Sequence, residues 1–139
     1  MSDIGMILDR IGRKLVTEVA PKLHGDYSGG HAAMSGIMAV MAGEAWDGAA
    51  DRLVNEIAGL RGLIALAGKT VIIPSAPSLK LSDLQAERDA LASYLIVLQM
   101  SLEAREDDAA KALNAEIWRH LMATSMARMP SPPEFPDPA

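Results

Sequence analysis

The chain of 139 residues contains no cysteine and few aromatic residues, which make up 4% of it. Without cysteine, disulfide bonds and thiolate metal sites are excluded, and a reducing compartment fits the sequence. Because aromatic side chains are scarce and 50% of the residues are hydrophobic, Ala, Leu, Ile, Val and Met must provide the packing. Ala, Leu and Met lose little conformational freedom in a helix, so the composition predicts an all-α protein.

Strong charge of either sign and long apolar runs are also missing. The net charge is −5, with both signs spread along the chain, which predicts no nucleic-acid partner and no attraction to an acidic membrane. The longest charge-free run, residues 27–43, is too short to span a bilayer. The N-terminus carries acidic residues early, unlike a signal peptide. We therefore expect a cytoplasmic protein without a membrane segment.

The first helix is predicted over about 20 residues, with Ser2 or Asp3 as its N-cap. Apolar residues at three- and four-residue steps form its predicted inward face: Ile4, Ile7, Leu8, Ile11, Leu15 and Val19. Pro21 is expected to bend the last turn, and Gly25 to end the helix in a left-handed turn position.

One heptad seam runs through residues 29–67 without a change of phase. Its members are Gly29, Ala32, Gly36, Ala39, Gly43, Trp46, Ala50, Leu53, Ile57, Leu60, Ile64 and Ala67. Asp47 could cap a new helix after a break near Asp47–Gly48, but a loop would usually shift the phase. The pattern therefore favours one long second helix, straight or kinked, of nearly 60 Å at about 1.5 Å per residue.

The first half of this helix has no Lys, Arg, Asp or Glu between Asp26 and Glu44. One face carries a helix-packing seam of small residues, Gly29, Ala32, Gly36, Ala39 and Gly43, and the other carries a candidate ligand or partner surface, Met34, Ile37, Met38 and Met41. A helix that is apolar all round must be buried all round. The first helix should lie antiparallel on it, but one cover leaves a large apolar patch exposed. Burial against the same patch of a second copy predicts a homodimer, and the alternative is a kinked helix that folds back into a compact, monomeric five-helix bundle.

The third helix follows a loop that contains Pro74 and Pro77. Ser82 is its predicted N-cap, with Gln85 completing a capping box. Its seam consists of Leu84, Leu91, Leu95, Leu98 and Leu102. Arg88 takes the remaining seam position. It could bind an anion or an acidic partner group, or it could snorkel to the bundle edge or pair with a carboxylate such as Glu56, and we favour the structural role.

The last helix is predicted to begin after Asp107 or Asp108 and to end before Pro130. Its inward residues are Ala110, Leu113, Ile117, Leu121 and Thr124, with Trp118, Met122 and Met126 on an adjacent stripe. The fold predicted is a four-helix, coiled-coil-like bundle, with a single domain over residues 1–129. Residues 130–139 are expected to form an extended or disordered proline-rich tail. Its Pro133-x-x-Pro136 pattern is interpreted as solvated tail rather than as a recognition motif.

No sequence motif indicates catalysis, since the P-loop, dinucleotide, nucleophile-elbow and zinc-protease patterns are all missing. His24 and His31 are seven residues apart with Asp26 between them, and this spacing does not fit a metal site in a helical bundle. His120 and Glu116 are interpreted as an exposed i, i+4 pair. We therefore predict no catalytic residue, no metal and no cofactor.

The run of residues 15–27, LVTEVAPKLHGDY, is followed by an Ala- and Met-rich helix. It resembles a family of small, uncharacterised bacterial all-helical proteins that are encoded near acyl-CoA dehydrogenase-like and aminoglycoside-phosphotransferase-like proteins. The resemblance covers about the first half of the chain and implies an accessory protein with a partner in acyl-CoA metabolism. It supplies no catalytic residue.

Abundant packing features and the absence of converging polar groups favour a non-enzymatic interaction or accessory protein that self-associates through its charge-free helix. The alternative is a binder of a lipophilic or acyl small molecule, in an interhelical pocket lined by Met34, Met38 and Met41.

Overall fold

The computed structural model describes residues 1–23 and 27–135, and over these residues the protein is all-α, as predicted. Its α-helices are α1 (Asp3–Lys14), α2 (Tyr27–Asp47), α3 (Ala49–Leu66), α4 (Leu81–Glu103) and α5 (Asp108–Ala127). The turn predicted at Gly25 and the last residues of the tail, 136–139, lie outside the described residues.

The chain divides into two compact units. The α1–α2 unit comprises Met1–Gly48 and the C-terminal segment from Met129 onward, and the α3–α5 unit comprises Ala49–Arg128. The single domain over residues 1–129 stays a prediction.

The long second helix predicted over residues 29–67 is divided at Gly48, so the described chain has five α-helices where we predicted four. Glycine is the most flexible residue and costs a helix interior about 1 kcal/mol relative to alanine, which makes Gly48 a favourable place to interrupt it. The single turn residue hardly changes the phase of the hydrophobic pattern, and for that reason the pattern did not reveal the break.

Ser2 is the N-cap of α1, as predicted, since its Oγ accepts a hydrogen bond from the Gly5 N–H at 3.2 Å. Beyond Lys14 the chain continues as a π-helical turn, Leu15–Val19, and a 3-10 turn, Ala20–Lys22. Pro21 has no N–H to donate, so regular α-helical hydrogen bonding cannot pass through it.

Helices α1 and α2 pack antiparallel through glycine, with Gly5 opposite Gly43 and Gly12 opposite Gly36. A Cβ added at Gly36 would lie 2.6 Å from the carbonyl oxygen of Gly12, and one added at Gly43 would lie 2.8 Å from that of Gly5. The two backbones are therefore in direct contact, and all four glycines are buried.

The glycine contact corrects the predicted inward face of α1. Ile4, Ile7 and Ile11, which we expected to be buried, are each about half exposed. Gly5 and Gly12 occupy the contact with α2, so the three isoleucines are not at its centre.

The α3–α5 unit has a core of aliphatic side chains. It consists of Ile57, Leu60, Leu63, Ile64, Leu84, Leu91, Leu95, Leu98, Leu102, Ala110 and Ile117. The five leucines predicted as the seam of α4 are all buried, which confirms that part of the pattern. Helices α3 and α4 begin at the same end of the unit, where Ala49 and Leu81 line one depression. Helix α5 returns in the opposite direction, so that Arg128 at its end reaches Glu56 near the start of α3.

The N-cap predicted for α4 is not the one observed, whereas the N-cap predicted for α5 is confirmed. Helix α4 begins at Leu81 with Lys80 as its N-cap, so the capping box predicted at Ser82 does not start the helix. Instead, the Ser78 hydroxyl accepts a hydrogen bond from the Lys80 N–H at 3.1 Å and donates one to Asp83 at 2.5 Å. Asp107 caps α5, since it accepts a hydrogen bond from the Ala110 N–H at 3.0 Å.

Candidate interaction surface and polar clefts

The outward face of α2 carries the candidate partner surface. Met34 and Met38 are 59% and 63% exposed, whereas Ile37 and Met41 are partly buried. On the opposite side, Gly36 and Gly43 are buried against α1, and Gly29, Ala32 and Ala39 are partly buried. The charge-free helix is therefore covered along its glycine face and open along part of its methionine face.

Met34 and Met38 border a shallow groove of about 660 Å³. Its described lining comes from α2 alone and consists of Tyr27, Gly30, His31, Met34, Ser35 and Met38. The rings of Tyr27 and His31 lie 4.6 Å apart at one end of it. Because a single helix supplies this lining, the groove can receive an apolar surface but does not enclose a small molecule.

The α3–α5 unit also exposes apolar side chains, which lie on α4 and α5. They are Ile96, Val97, Met100, Trp118, Met122 and Met126. Charged residues such as Lys111, Glu116 and Arg119 interrupt the sequence of α5, whereas residues 90–102 of α4 contain none, like residues 27–43 of α2. The charge-free run on α2 is the longer of the two.

The C-terminal segment lies on the α1–α2 unit. Arg13 donates a hydrogen bond to the carbonyl oxygen of Glu134 at 2.9 Å, and its guanidinium carbon lies 5.7 Å from the centre of the Phe135 ring. The Ser131 N–H donates to Glu44 at 3.4 Å. Residues 129–135 have no regular secondary structure. Disorder of the tail stays a prediction, and Pro136 of the Pro133-x-x-Pro136 pattern lies outside the described residues.

A buried ion pair that sequence analysis missed fastens the segment between α3 and α4. Arg61 donates to the buried carboxylate of Glu87 at 2.7 Å and to the carbonyl oxygen of Ile73 at 2.9 Å. Glu87 also accepts a hydrogen bond from the Ala76 N–H at 2.6 Å. The position of Glu87, three residues after Leu84 and four before Leu91, was the available signal that it faces the core.

Arg88 does not form the predicted pair with Glu56, because Glu56 pairs with Arg128. The Arg88 side chain is 26% exposed, and its Nε lies 3.0 Å from the Asp89 carboxylate. Neighbouring side chains on a helix do not face each other. The N–H is not directed at that oxygen, so this buried nitrogen has no hydrogen-bond acceptor among the described residues.

A cleft of about 240 Å³ contains Arg88. Its lining comes from the first turns of α3 and α4 and from the end of α5, and consists of Ala49, Arg52, Leu53, Glu56, Leu81, Gln85, Arg88 and Arg128. Three arginines and one glutamate therefore line one small space.

The interpretation of His120 as an exposed partner of Glu116 was wrong. Glu116 pairs with Arg119 instead, and the His120 imidazole is partly buried against the backbone of Gly59. A Cβ at Gly59 would lie 2.8 Å from His120 Nδ1. Burial lowers the pKa of His120 below its usual 6.5, while Glu56 raises it and Arg128 lowers it further.

His120 lines a second cleft of about 240 Å³ together with Asn55, Glu56 and Thr124. This cleft shares Arg52, Glu56 and Arg128 with the first. No sequence pattern indicates this cleft, because its polar groups come from α3 and α5, which are far apart along the chain.

Within residues 1–23 and 27–135, no three His, Asp or Glu side chains converge as metal ligands, and no helix is long and apolar enough to cross a membrane. His24 and Asp26, which we considered as ligands, lie outside this part of the chain. Comparison with protein-family models, with curated proteins and with solved structures finds no match to this chain.

Proposed function

We propose that this chain is a non-enzymatic interaction or accessory protein of the cytoplasm that self-associates through the outward face of α2. The observation that carries the proposal is the exposure of Met34 and Met38 on a helix whose residues 27–43 include no charge. Exposed apolar faces of this kind mark protein-interaction sites.

A second copy is the occupant that best suits this face. An isologous contact places the same residues on both sides, so two charge-free faces meet and no ionic group loses its hydration without a partner. Helix α2 alone, about 31 Å long at 1.5 Å per residue, is too small for a standard interface of about 800 Å² per partner. The half-exposed Ile4, Ile7 and Ile11 of α1 offer further apolar area in the same unit.

A second kind of partner, a different protein, is proposed from the resemblance of residues 15–27. That resemblance implies a bacterial accessory protein that acts near acyl-CoA metabolism. A lipophilic or acyl ligand is the second candidate, favoured by the methionine-bordered groove on α2. The described lining is one helix, so a ligand would need a second wall, which another copy would supply.

The self-association proposal is tested by the mass of the full chain in solution, measured by light scattering from about 1 to 100 µM. We expect a dimer for the unaltered chain and a monomer for Met38→Glu, because the new carboxylate would be desolvated in the interface. The matched control is Met126→Glu, since Met126 is 61% exposed on α5, close to the 63% of Met38.

Three outcomes of this experiment are informative. A dimer that Met38→Glu dissociates and Met126→Glu preserves supports the proposal. A monomer throughout the concentration range, or a dimer that only Met126→Glu dissociates, contradicts it. Circular dichroism of both variants establishes that each remains helical.

The ligand candidate is distinguished by the melting temperature in the presence of a medium-chain fatty acid. A ligand that binds only the folded chain raises the melting temperature by mass action, whereas an interaction protein without a ligand site is unaffected. A rise that Met34→Glu abolishes would favour the ligand-binding function.

A further inference from the structure

The cleft at the shared end of α3 and α4 has an unusual balance of charge. Arg88 and Arg128 face it from α4 and α5, and the one carboxylate in its lining, Glu56, is already paired with Arg128. Arg52 also lines the cleft and has contacts of its own. We propose that this cleft binds a phosphate group, either as inorganic phosphate or as the phosphate of a small monoester.

Arg88 is the residue that points most directly to an anion. It occupies a position in the leucine seam of α4, and three quarters of its side chain is buried. Its Nε has no hydrogen-bond acceptor among the described residues, and the nearby Asp89 carboxylate is not aligned with the N–H. Burying a guanidinium is unfavourable unless an anion accepts its hydrogen bonds. The Arg88 Nε itself is enclosed by protein, so a phosphate in the cleft would be bound by the two terminal nitrogens of the guanidinium.

The ends of the helices favour an anion in the same place. Leu81, the first residue of α4, lines the cleft, so the positive end of this helix dipole lies beside it. Helix α5 brings its negative end there, but that is the end that carries the Arg128 guanidinium. Gln85 adds an amide that can donate to a further oxygen.

Phosphate suits this arrangement better than carboxylate does. A single arginine fork satisfies both oxygens of a planar carboxylate. Here the donors come from separate helices and approach from different directions, which matches a tetrahedral group with several oxygens. The adjoining cleft lined by His120 and Thr124 provides space for the organic part of a monoester.

The proposal is tested with the full chain by titrating inorganic phosphate at constant ionic strength, with chloride as the balancing ion. Binding is measured by calorimetry and by the NMR shift of the His120 ring protons, because Glu56 and Arg128 lie beside both His120 and the cleft. We expect saturable binding with a Kd of about 1 mM or below.

Variants of Arg88 test whether the cleft is the site. Arg88→Gln should weaken phosphate binding about tenfold or more, because a charge-assisted hydrogen bond is lost. The matched control, Arg119→Gln, removes the same charge from an exposed position on α5 and should leave the Kd within about twofold. Should Arg88→Gln fail to fold, Arg88→Leu restores the leucine seam and is expected to be folded and unable to bind.

Phenyl phosphate distinguishes the two sources of the phosphate group. Tighter binding than that of inorganic phosphate identifies a monoester site that uses the His120 cleft, whereas equal or weaker binding identifies free phosphate, and either result supports the proposal. Absence of saturable binding for both compounds, or unchanged binding by the Arg88 variants, overturns it.

Discussion

Eleven apolar side chains are buried together in the α3–α5 unit, whereas among the described residues of the α1–α2 unit Val40 is the one apolar side chain that is buried beyond the glycines. The α3–α5 unit excludes water with leucine and isoleucine side chains from three helices. The α1–α2 unit brings two helix backbones into contact at Gly5, Gly12, Gly36 and Gly43. The two units therefore use different interactions to hold their helices together.

This difference bears on the proposed self-association of the α1–α2 unit. Burial of a Leu or Ile side chain contributes about 1.5–3 kcal/mol, so the α3–α5 unit has a large hydrophobic contribution of its own. Glycine contacts gain dispersion energy from close packing but remove little apolar area from water. The α1–α2 unit leaves Ile7, Met34 and Met38 exposed, and a second copy would supply the burial that its own helices do not.

The largest expected effect comes from the core of the α3–α5 unit. Leu91→Ala should lower the free energy of unfolding by about 2–5 kcal/mol, because the fully buried side chain leaves a cavity. Val40→Ala in the α1–α2 unit removes two methyl groups at about 0.8 kcal/mol each and should cost about 1.5 kcal/mol. Urea denaturation of both variants measures the two values. An equal cost at the two positions would show that the units do not differ in this way.

A smaller effect is expected from the buried ion pair between α3 and α4. Glu87→Ala leaves Arg61 and the Ala76 N–H without their acceptor. Removing one partner of a buried pair costs about 3–5 kcal/mol, and partial exposure of Arg61 reduces this to about 2–3 kcal/mol. The exposed Glu116→Ala is the control and should change stability by about 0.5 kcal/mol or less. A matching small change for Glu87→Ala in urea denaturation would mean that the pair is dispensable.

The glycine contact of the α1–α2 unit is tested by Gly12→Ala. The new Cβ would meet the Val40 backbone nitrogen at 2.9 Å, so the helices must separate at a cost of about 1–3 kcal/mol. Gly62→Ala in α3 is the matched control, because its Cβ meets nothing within 4 Å and should stabilise the helix by about 0.5–1 kcal/mol. Opposite signs in thermal denaturation support the backbone contact, whereas stabilisation by both variants refutes it.

Helix α4 could be predicted from sequence and the packing face of α1 could not, for one physical reason. Leu84, Leu91 and Leu95 report their own burial, because large apolar side chains at helical spacing must leave water. Gly5 and Gly12 do not indicate their own burial, since a glycine contact depends on the shape of the opposing helix. A pattern of apolar residues therefore identified Leu91 correctly and misplaced the isoleucines of α1.

The polar clefts likewise contain one feature that could be predicted from sequence and others that could not. Arg88 was noticed from sequence because a charge interrupts a leucine seam. The pairing of Glu56 with Arg128, and the packing of His120 on Gly59, join residues of α3 to residues of α5. Such contacts follow from the direction in which α5 returns, which no local spacing encodes.

The smallest expected effect is a pH dependence that belongs to the α3–α5 unit. Burial lowers the pKa of His120, so as the pH falls below 6.5 the unfolded chain takes up a proton that the folded chain resists. The contribution of His120 to the free energy of unfolding is therefore fully present above pH 6.5 and decreases toward acidic pH. The surrounding charges are Glu56 and Arg52 on α3 and Arg128 at the end of α5.

Between pH of about 7.5 and about 5.5, the free energy of unfolding should fall less in His120→Gln than in the unaltered chain. The fall is measured as the shift in urea midpoint. In the α1–α2 unit, the hydrogen bond from the Ser2 backbone lowers the pKa of Asp47 below 3.8, so its contribution is lost only in stronger acid. The pH dependence of stability therefore distinguishes the two units. Above pH of about 5, the variant should change the pH dependence of the α3–α5 unit alone. An identical midpoint shift in the unaltered chain and in His120→Gln would show that the imidazole against Gly59 does not resist protonation.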